Sequence, residues 1–347
     1  MTGRPVRGVA PLPPLSVLIP ALNEAAALPA LLQDLAAQTR VRVEVIVADG
    51  GSGDATAAVA RRHGATVITA ARGRAAQLNA AVATAQGPWL CCLHADSRLP
   101  DRDQLAQALA CLQREYRPGE IVAGHWPLRF VRSQPGHDAL FRQLEAKSAS
   151  NRPGTVNGDQ GLLIHRDTLA ALGGFDASLP FFEDQRIASK VFAQGRFLQL
   201  PGVLLTSARR FEVEGHAPRL ALMALIVGAE AAGLDDWLAT LPGLYREQAA
   251  ASDLRPGPFI ENLLEFIARL PEPRRRSVWR KAGRLVASQA WQLALLLDTR
   301  QGDERRWLPR FDAVMAPIFD TRAAASVMSA ALPLALQVLA VRFRARS

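Results

Sequence analysis

Polar groups recur along the first half of the chain at the ends of short apolar runs, each placed to do chemistry. Pro88-Trp-Leu-Cys-Cys-Leu-His94-Ala-Asp96 is an apolar run of strand length that delivers His94 and Asp96 into a polar turn closed by Pro100. A lone carboxylate at the carboxyl edge of a sheet can hold a divalent cation against phosphate oxygens. It can equally cap the helix that follows. Residues 41–47 run into Asp49-Gly-Gly-Ser-Gly-Asp54; there Asp49 can accept a hydrogen bond from a nucleobase ring N–H, and Gly50 opens a turn that permits close backbone approach or is a plain turn. Residues 15–20 end at Pro20 and lead into Asn23 and Glu24, and residues 65–69 lead into Arg72-Gly-Arg74. Arg74 can pair with a phosphate or ribose. Further on, Phe181-Phe182-Glu183-Asp184 starts a helix, where two adjacent carboxylates either favour the helix dipole or hold a base at a cleft.

The elements that must position these groups follow from the periodicity. Leucines 28, 31, 32 and 35 at helical spacing follow the first strand, residues 55–63 have helix composition after the second, and 75–86 after the third. Strands alternating with helices, with polar turns after each strand, predict a mostly parallel sheet covered on both faces. The four turns then share one edge, where Asn23, Glu24, Asp49, Asp54, Arg74 and Asp96 converge. Beyond a helix over 101–116, the pattern predicts a longer strand over 121–131, a helix over 137–150 and a Gly158-Asp159-Gln160-Gly161 loop entering another strand. Asp159 and Gln160 read as ligand contacts, because a polar pair flanked by glycines before a strand is otherwise costly to bury. The helix opened by Glu183 and Asp184 runs to about Gly195.

The 347 residues, 49% of them hydrophobic, suffice for about two domains. Pro- and Gly-rich residues 1–14 read as a flexible lead without the apolar core of a signal peptide. Residues 15–250 form the main domain, and Pro256-Gly257-Pro258 places a boundary near 251. Residues 251–347 form a basic region predicted helical over 259–270, 277–297, 308–319 and 323–342. Of the +9 formal charge, seven units fall in residues 252–347, which carry 16 lysines and arginines against 9 acidic residues. That balance reads either as a solvated basic face without a partner or as a surface for an anionic one, such as a lipid surface or a phosphorylated acceptor. Nucleic acid is disfavoured, since the arginine runs lack interleaved aromatics. Residues 323–341 are uncharged and read as an interfacial or core helix rather than a span. The apolar helix near 220–234 and the basic tail together predict peripheral contact at the cytoplasmic membrane face. Cys91, Cys92 and Cys111 make no framework and read as small buried hydrophobes in a reducing compartment.

Ser16-Val-Leu-Ile-Pro-Ala-Leu-Asn-Glu24, Val47-Ala-Asp-Gly-Gly-Ser-Gly-Asp54, Leu93-His-Ala-Asp96 and Phe182-Glu-Asp184 occur in an order and spacing that resembles the family 2 glycosyltransferases with a GT-A fold. Arg72-Gly-Arg-Ala-Ala-Gln-Leu-Asn79, Gly158-Asp-Gln-Gly161, Gly173-Gly-Phe175 and Thr206-Ser-Ala-Arg-Arg210 further resemble its radical-SAM/selenodomain-associated subgroup. The resemblance covers about 15–248. It implies an α/β GT-A (nucleotide-diphospho-sugar transferase) fold, to which the chain adds its all-α C-terminal region. It also implies inverting transfer of a sugar from a nucleotide-diphospho-sugar donor, with Mg²⁺ or Mn²⁺. The acceptor, lipid-linked or membrane-proximal in this reading, is not identified by the sequence, nor is the oligomeric state.

By the same resemblance, Asp49 meets the base, with Pro20, Asn23, Glu24 and Gly50 around the nucleoside, and Asp96 binds the metal. The family's Asp-x-Asp is here His94-Ala-Asp96, so His94 is a ligand, a phosphate donor or a packing residue. Asp184 is the general base, with Glu183 next. Arg209 and Arg210 hold a phosphate group or are a solvated pair, and His216 is an extra ligand or a packing residue. Two other functions compete. A nucleotidyltransferase-like enzyme would show a Gly-rich basic loop where Pro20-Ala-Leu-Asn-Glu24 stands. A non-catalytic nucleotide-sugar-binding subunit would explain His94 but not the acid pair.

Overall fold

A computed structural model describes residues 14–178, 181–247, 254–301 and 306–344. Apart from Pro14, the expected lead lies outside these residues, as does the expected boundary near 251. The chain divides into two compact units, residues 1–129 with 148–206 and residues 130–147 with 207–347.

In the first unit the expected repeat of strand, loop and helix is present: β1 Pro14–Ala21, α1 Leu28–Ala36, β2 Arg42–Asp49, α2 Thr56–Arg62, β3 Thr66–Thr69, α3 Arg74–Thr84, β4 Trp89–Cys92 and α4 Gln104–Glu115. The expected strand over 121–131 is instead two, β5 Val122–His125 and β6 Leu128–Val131, in different sheets. Trp126 and Pro127 break it. The indole is fully buried and donates to the Pro201 carbonyl, and a proline cannot donate to a ladder. After α5 Asp138–Ser148 come β7 Leu162–His165, α6 Arg166–Ala171, α7 Glu183–Gln194, β8 Arg196–Gln199 and β9 Leu204–Ser207.

The main sheet has the order β3-β2-β1-β4-β7-β5-β8. β7 runs antiparallel to both neighbours, whereas the other pairings are parallel. Side chains alternate between two cores. Val17 and Ile19 meet the leucines of α1 and α4 on one face, while Leu18, Ile46 and Leu90 meet α3 and α7 on the other. Fully buried parallel strands need apolar residues on both faces, which is why their sequences read as unbroken apolar runs. Cys91 and Cys92 are buried within β4 as expected, and burial raises the Cys92 thiol to about 12. The chain leaves β1 toward β2 and β3, then returns to put β4 on β1's other side. The carboxyl ends of β1 and β4 therefore flank a point of order reversal, the place where open α/β sheets bind ligands.

The second unit, apart from parts of β6 and β9, is helical. It contains α5 and α8 Arg209–Glu214, α9 His216–Ala232, α10 Asp235–Leu238, α11 Leu241–Glu247, α12 Pro256–Arg269, α13 Glu272–Ser288, α14 Trp291–Gln301, α15 Trp307–Arg310, α16 Ala316–Phe319 and α17 Arg322–Arg344. The helix expected over 277–297 is interrupted between α13 and α14, and the one over 308–319 by a π-turn at Phe311–Met315. The buried carboxylate of Asp298 accepts three backbone N–H bonds, from Arg306, Trp307 and Leu308, and so caps α15. α9, expected to meet a membrane, packs one face on α12 and α13 with Leu222, Leu225 and Ala229 buried. Leu220, Met223, Ile226 and Val227 on the same helix are half-buried.

Candidate active site

The four loops expected to converge do so at the carboxyl edge of β1 to β4, and a lattice of hydrogen bonds joins them. Asn23, in the left-handed region at φ 56°, donates its N–H to Ser52 Oγ (2.9 Å) and accepts from the Gly53 N–H through Oδ1 (2.8 Å). Glu24 donates its N–H to Thr56 Oγ1 (2.8 Å), and its carbonyl accepts from Leu28 at the start of α1. Asp49, buried at the end of β2, accepts from the N–H and the hydroxyl of Ser52. The carboxylate is thus oriented by its own turn.

A residue with no role assigned from the sequence underlies this lattice. Gln77, buried on α3, donates from Nε2 to the carbonyls of Ala21 (2.8 Å) and Ala48 (2.7 Å), stitching the ends of β1 and β2 together. A Cβ on Gly50 would stand 3.1 Å from that amide, so the glycine admits the stitch. Asn79, two residues further along α3, bonds both the N–H and the carbonyl of Phe175 and fixes the Gly173-Gly174-Phe175 turn. A polar side chain inside an Ala-rich helix was the available signal.

Beside the lattice lies an open pocket lined by Pro20, His94, Gly158, Phe175, Glu183 and Asp184, among others. Its acid pair starts α7 behind Phe182, which is buried and holds φ 77°, an outlier for a bulky residue. Such strain persists only where the surroundings enforce it, and it commonly marks functional sites. Glu183 is 2% exposed; burial raises its carboxyl, and the adjacent Asp184 raises it further. Arg74, the first residue of α3, opposes that rise from 3.5 Å away. Burial disfavours the guanidinium's charge, but the carboxylates of Glu183, Asp184, Asp159 and Asp96 together raise its pKa. Asp184 accepts from the N–H of Gly158 and, at 2.7 Å, from that of Gln185, which fixes both oxygens.

His94 is tied on both sides. Nδ1 bonds Asp159 Oδ1 at 2.8 Å, and Nε2 faces Arg74 Nη1 at 3.5 Å. Burial would lower the imidazole's pKa, but the Asp159 bond and charge outweigh it and raise it. Giving Nδ1–H to a carboxylate is the arrangement that orients a metal-binding histidine, but the remaining nitrogen, Nε2, faces the Arg74 guanidinium. Asp96 differs: its half-buried carboxylate has no hydrogen-bond partner among the described residues and feels Arg74 electrostatically. The cap reading of Asp96 fails, because the next helix starts only at Gln104. The loop carrying Asp96 is anchored by the two-point ion pair of Arg98 with Asp34.

Gly158 is where His94 and Asp184 meet. A Cβ there would lie 2.5 Å from His94 Nε2 and 2.8 Å from Asp184 Oδ2. Gly158→Ala is expected to cost about 1–3 kcal/mol in urea denaturation. It is also expected to depress turnover, because the groups that must give way are the two the site depends on. Unchanged stability and rate would show that the site does not need this close approach.

One expectation changes, and two open readings gain a setting. Gln160, expected to contact a ligand, is fully buried and spends its amide on the Ser148 carbonyl, His125 Nδ1 and the Asn157 N–H, so it supports the turn from beneath. His216 stacks on His137 at 3.7 Å and packs edge-on against Phe141, and burial lowers its pKa. It is a packing residue of the second unit. Arg209 and Arg210 stand exposed on the first turn of α8, also in the second unit. Among the described residues no group of three or more His, Cys, Asp or Glu side chains is assembled to enclose a metal.

Residues 16–156 match the family model described as Glycosyl transferase family 2. The chain is 37% identical over 119 residues to a PGL/p-HBAD biosynthesis glycosyltransferase of Mycobacterium tuberculosis, covering 32% of this chain and 46% of that protein. It is 31% identical over 183 residues to an uncharacterized glycosyltransferase of the same species, covering 46% of this chain and 80% of that protein. The chain thus spans about half the length of the first of these relatives. The crystal structure of S. aureus TarS 1-349 in complex with UDP shares the fold, with a TM-score of 0.50 at 15% identity over 92% of this chain and 91% of that one.

Proposed function

We propose that this chain, which belongs to the family 2 glycosyltransferases, moves a sugar from a nucleotide-diphospho-sugar donor to an acceptor hydroxyl with inversion at the anomeric carbon. The finer placement in the radical-SAM/selenodomain-associated subgroup is part of the same reading. The observation that carries the mechanism is the meeting of Asp184, Glu183 and His94 in one pocket beside the β1/β4 reversal, with Arg74 set against Glu183 and His94.

Asp49, Asn23 and Glu24 receive the nucleoside, with Asp49 accepting a ring N–H through lone pairs left over from Ser52. Arg74 meets the diphosphate and the charge that grows on it as the glycosidic C–O bond breaks. Asp184 accepts the acceptor hydroxyl's proton as that oxygen attacks from the opposite face. Asp159 holds His94 in one tautomer with Nε2 toward the pocket.

The donor set suits a hard divalent cation such as Mg²⁺ or Mn²⁺ held in an open site. Asp96, a carboxylate with no hydrogen-bond partner among the described residues, would hold it; His94 Nε2 would join only if Arg74 gave way. The cation would neutralise diphosphate charge; the remaining ligands would come from the donor and water.

A thermal-shift screen of nucleotide sugars with and without Mn²⁺ tests this reading. A matching donor at 100 times its Kd is expected to stabilise by about 2.7 kcal/mol, and Mn²⁺-dependent release of nucleoside diphosphate is expected to follow. No shift with any nucleotide sugar would remove the donor assignment. A shift without turnover under any acceptor or water would leave a binding subunit.

A further inference from the structure

α17 is, among the described residues, a helix long and apolar enough to cross a membrane. Its packing says otherwise. One face lies on α13 and α12: Ala325 and Ala340 are buried, and the crossing is so close that a Cβ on Gly283 would stand 2.3 Å from Ser329 Oγ. α13 carries seven charged side chains between Glu272 and Arg284. A span would strip α17 from α13 or drag those charges into hydrocarbon, where each is costly.

The other face is bare. Val327 is 64% exposed, Leu334 65%, Val338 60% and Val341 63%, at helical spacing on one stripe. In the segment just before, Trp307, Val314, Met315 and Ile318 are exposed as well. The charges on α17 are Arg322 near its start and Arg342 and Arg344 at its end, all positive. An aliphatic stripe with cationic ends is the pattern of a helix that lies in an anionic lipid interface, apolar side down. A second copy of the chain fits less well, since pairing two such helices in either direction sets arginine against arginine.

We propose that the bare face of α17 is a monotopic docking surface for an anionic membrane, with Val327, Leu334, Val338 and Val341 entering the acyl boundary and Arg322 and Arg342 meeting headgroup phosphates. The surface does not depend on the proposed transfer reaction. It places the membrane contact on α17 rather than on α9, whose large apolar side chains are buried or half-buried.

Flotation of the full chain with vesicles of phosphatidylcholine alone, or of phosphatidylcholine mixed with phosphatidylglycerol, tests it. Flotation with the mixed vesicles at low salt is expected. Leu334→Glu with Val338→Glu is expected to reduce it at least about tenfold, with unchanged circular dichroism because both sites are exposed. Arg322→Gln with Arg342→Gln is expected to erase the preference for phosphatidylglycerol. Alkaline carbonate is expected to release the protein from host membranes. No flotation at low salt, or equal flotation of the glutamate variant, would overturn the proposal; so would retention after carbonate, which would make α17 a span. A lipid-free dimer dissolved by the glutamate pair would instead assign the face to a second copy.

Discussion

Asp184→Asn is expected to lower turnover by about 10²–10⁴-fold, the contribution usual for a positioned general base, while leaving donor binding nearly intact. The substitution is close to isosteric. Its amide oxygen can keep one of the two backbone N–H bonds, from Gly158 or Gln185, so the α7 start should hold its shape. What is lost is the capacity to take a proton. Glu183→Gln serves as the contrast. Glu183 lines the same pocket but is buried and paired with Arg74, so its loss should weaken donor binding through a freed Arg74. Single-turnover kinetics with donor titration separates the two, and full activity in Asp184→Asn would remove Asp184 as the base.

Asp96→Ala is expected to abolish the Mn²⁺-dependent part of donor binding, with a loss of at least about tenfold, the scale already seen when mere outer-shell partners of a metal are removed. The carboxylate makes no hydrogen bond that the fold would miss, and the Arg98–Asp34 pair holds the loop independently. Stability should therefore barely change. Calorimetric titration of donor with and without Mn²⁺ reads the effect, and an undiminished response to Mn²⁺ would dismiss Asp96 as a ligand. His94→Ala, by contrast, should disturb Arg74 and Asp159 more than the metal.

The first four strands and their loops were legible because fully buried parallel strands demand unbroken apolar runs, and each run stops at a polar turn. That logic failed at 121–131, where Trp126 is as apolar as its neighbours but turns inward and, with Pro127, ends one strand and starts another. The acid pair was legible as a helix start; the strain at Phe182 was not, since nothing in an aromatic residue announces a positive φ. His94 could not be settled from sequence because its partner, Asp159, stands 65 positions away. Gln160 misled for the same reason: a glycine-flanked polar residue looks exposed, yet Ser148, His125 and Asn157 supply all it needs to be buried.

The lattice among Asn23, Asp49, Ser52, Gly53 and Gln77 bears on how the proposed nucleoside site beside the pocket would meet its ligand. Loops that must freeze on binding lose conformational entropy, and affinity falls accordingly. Here the turns after β1 and β2 are cross-linked before any ligand arrives, so little backbone freedom remains to be lost. Association at that side should be governed by the ligand's own loss of motion and by shed water, with the protein acting as a rigid template.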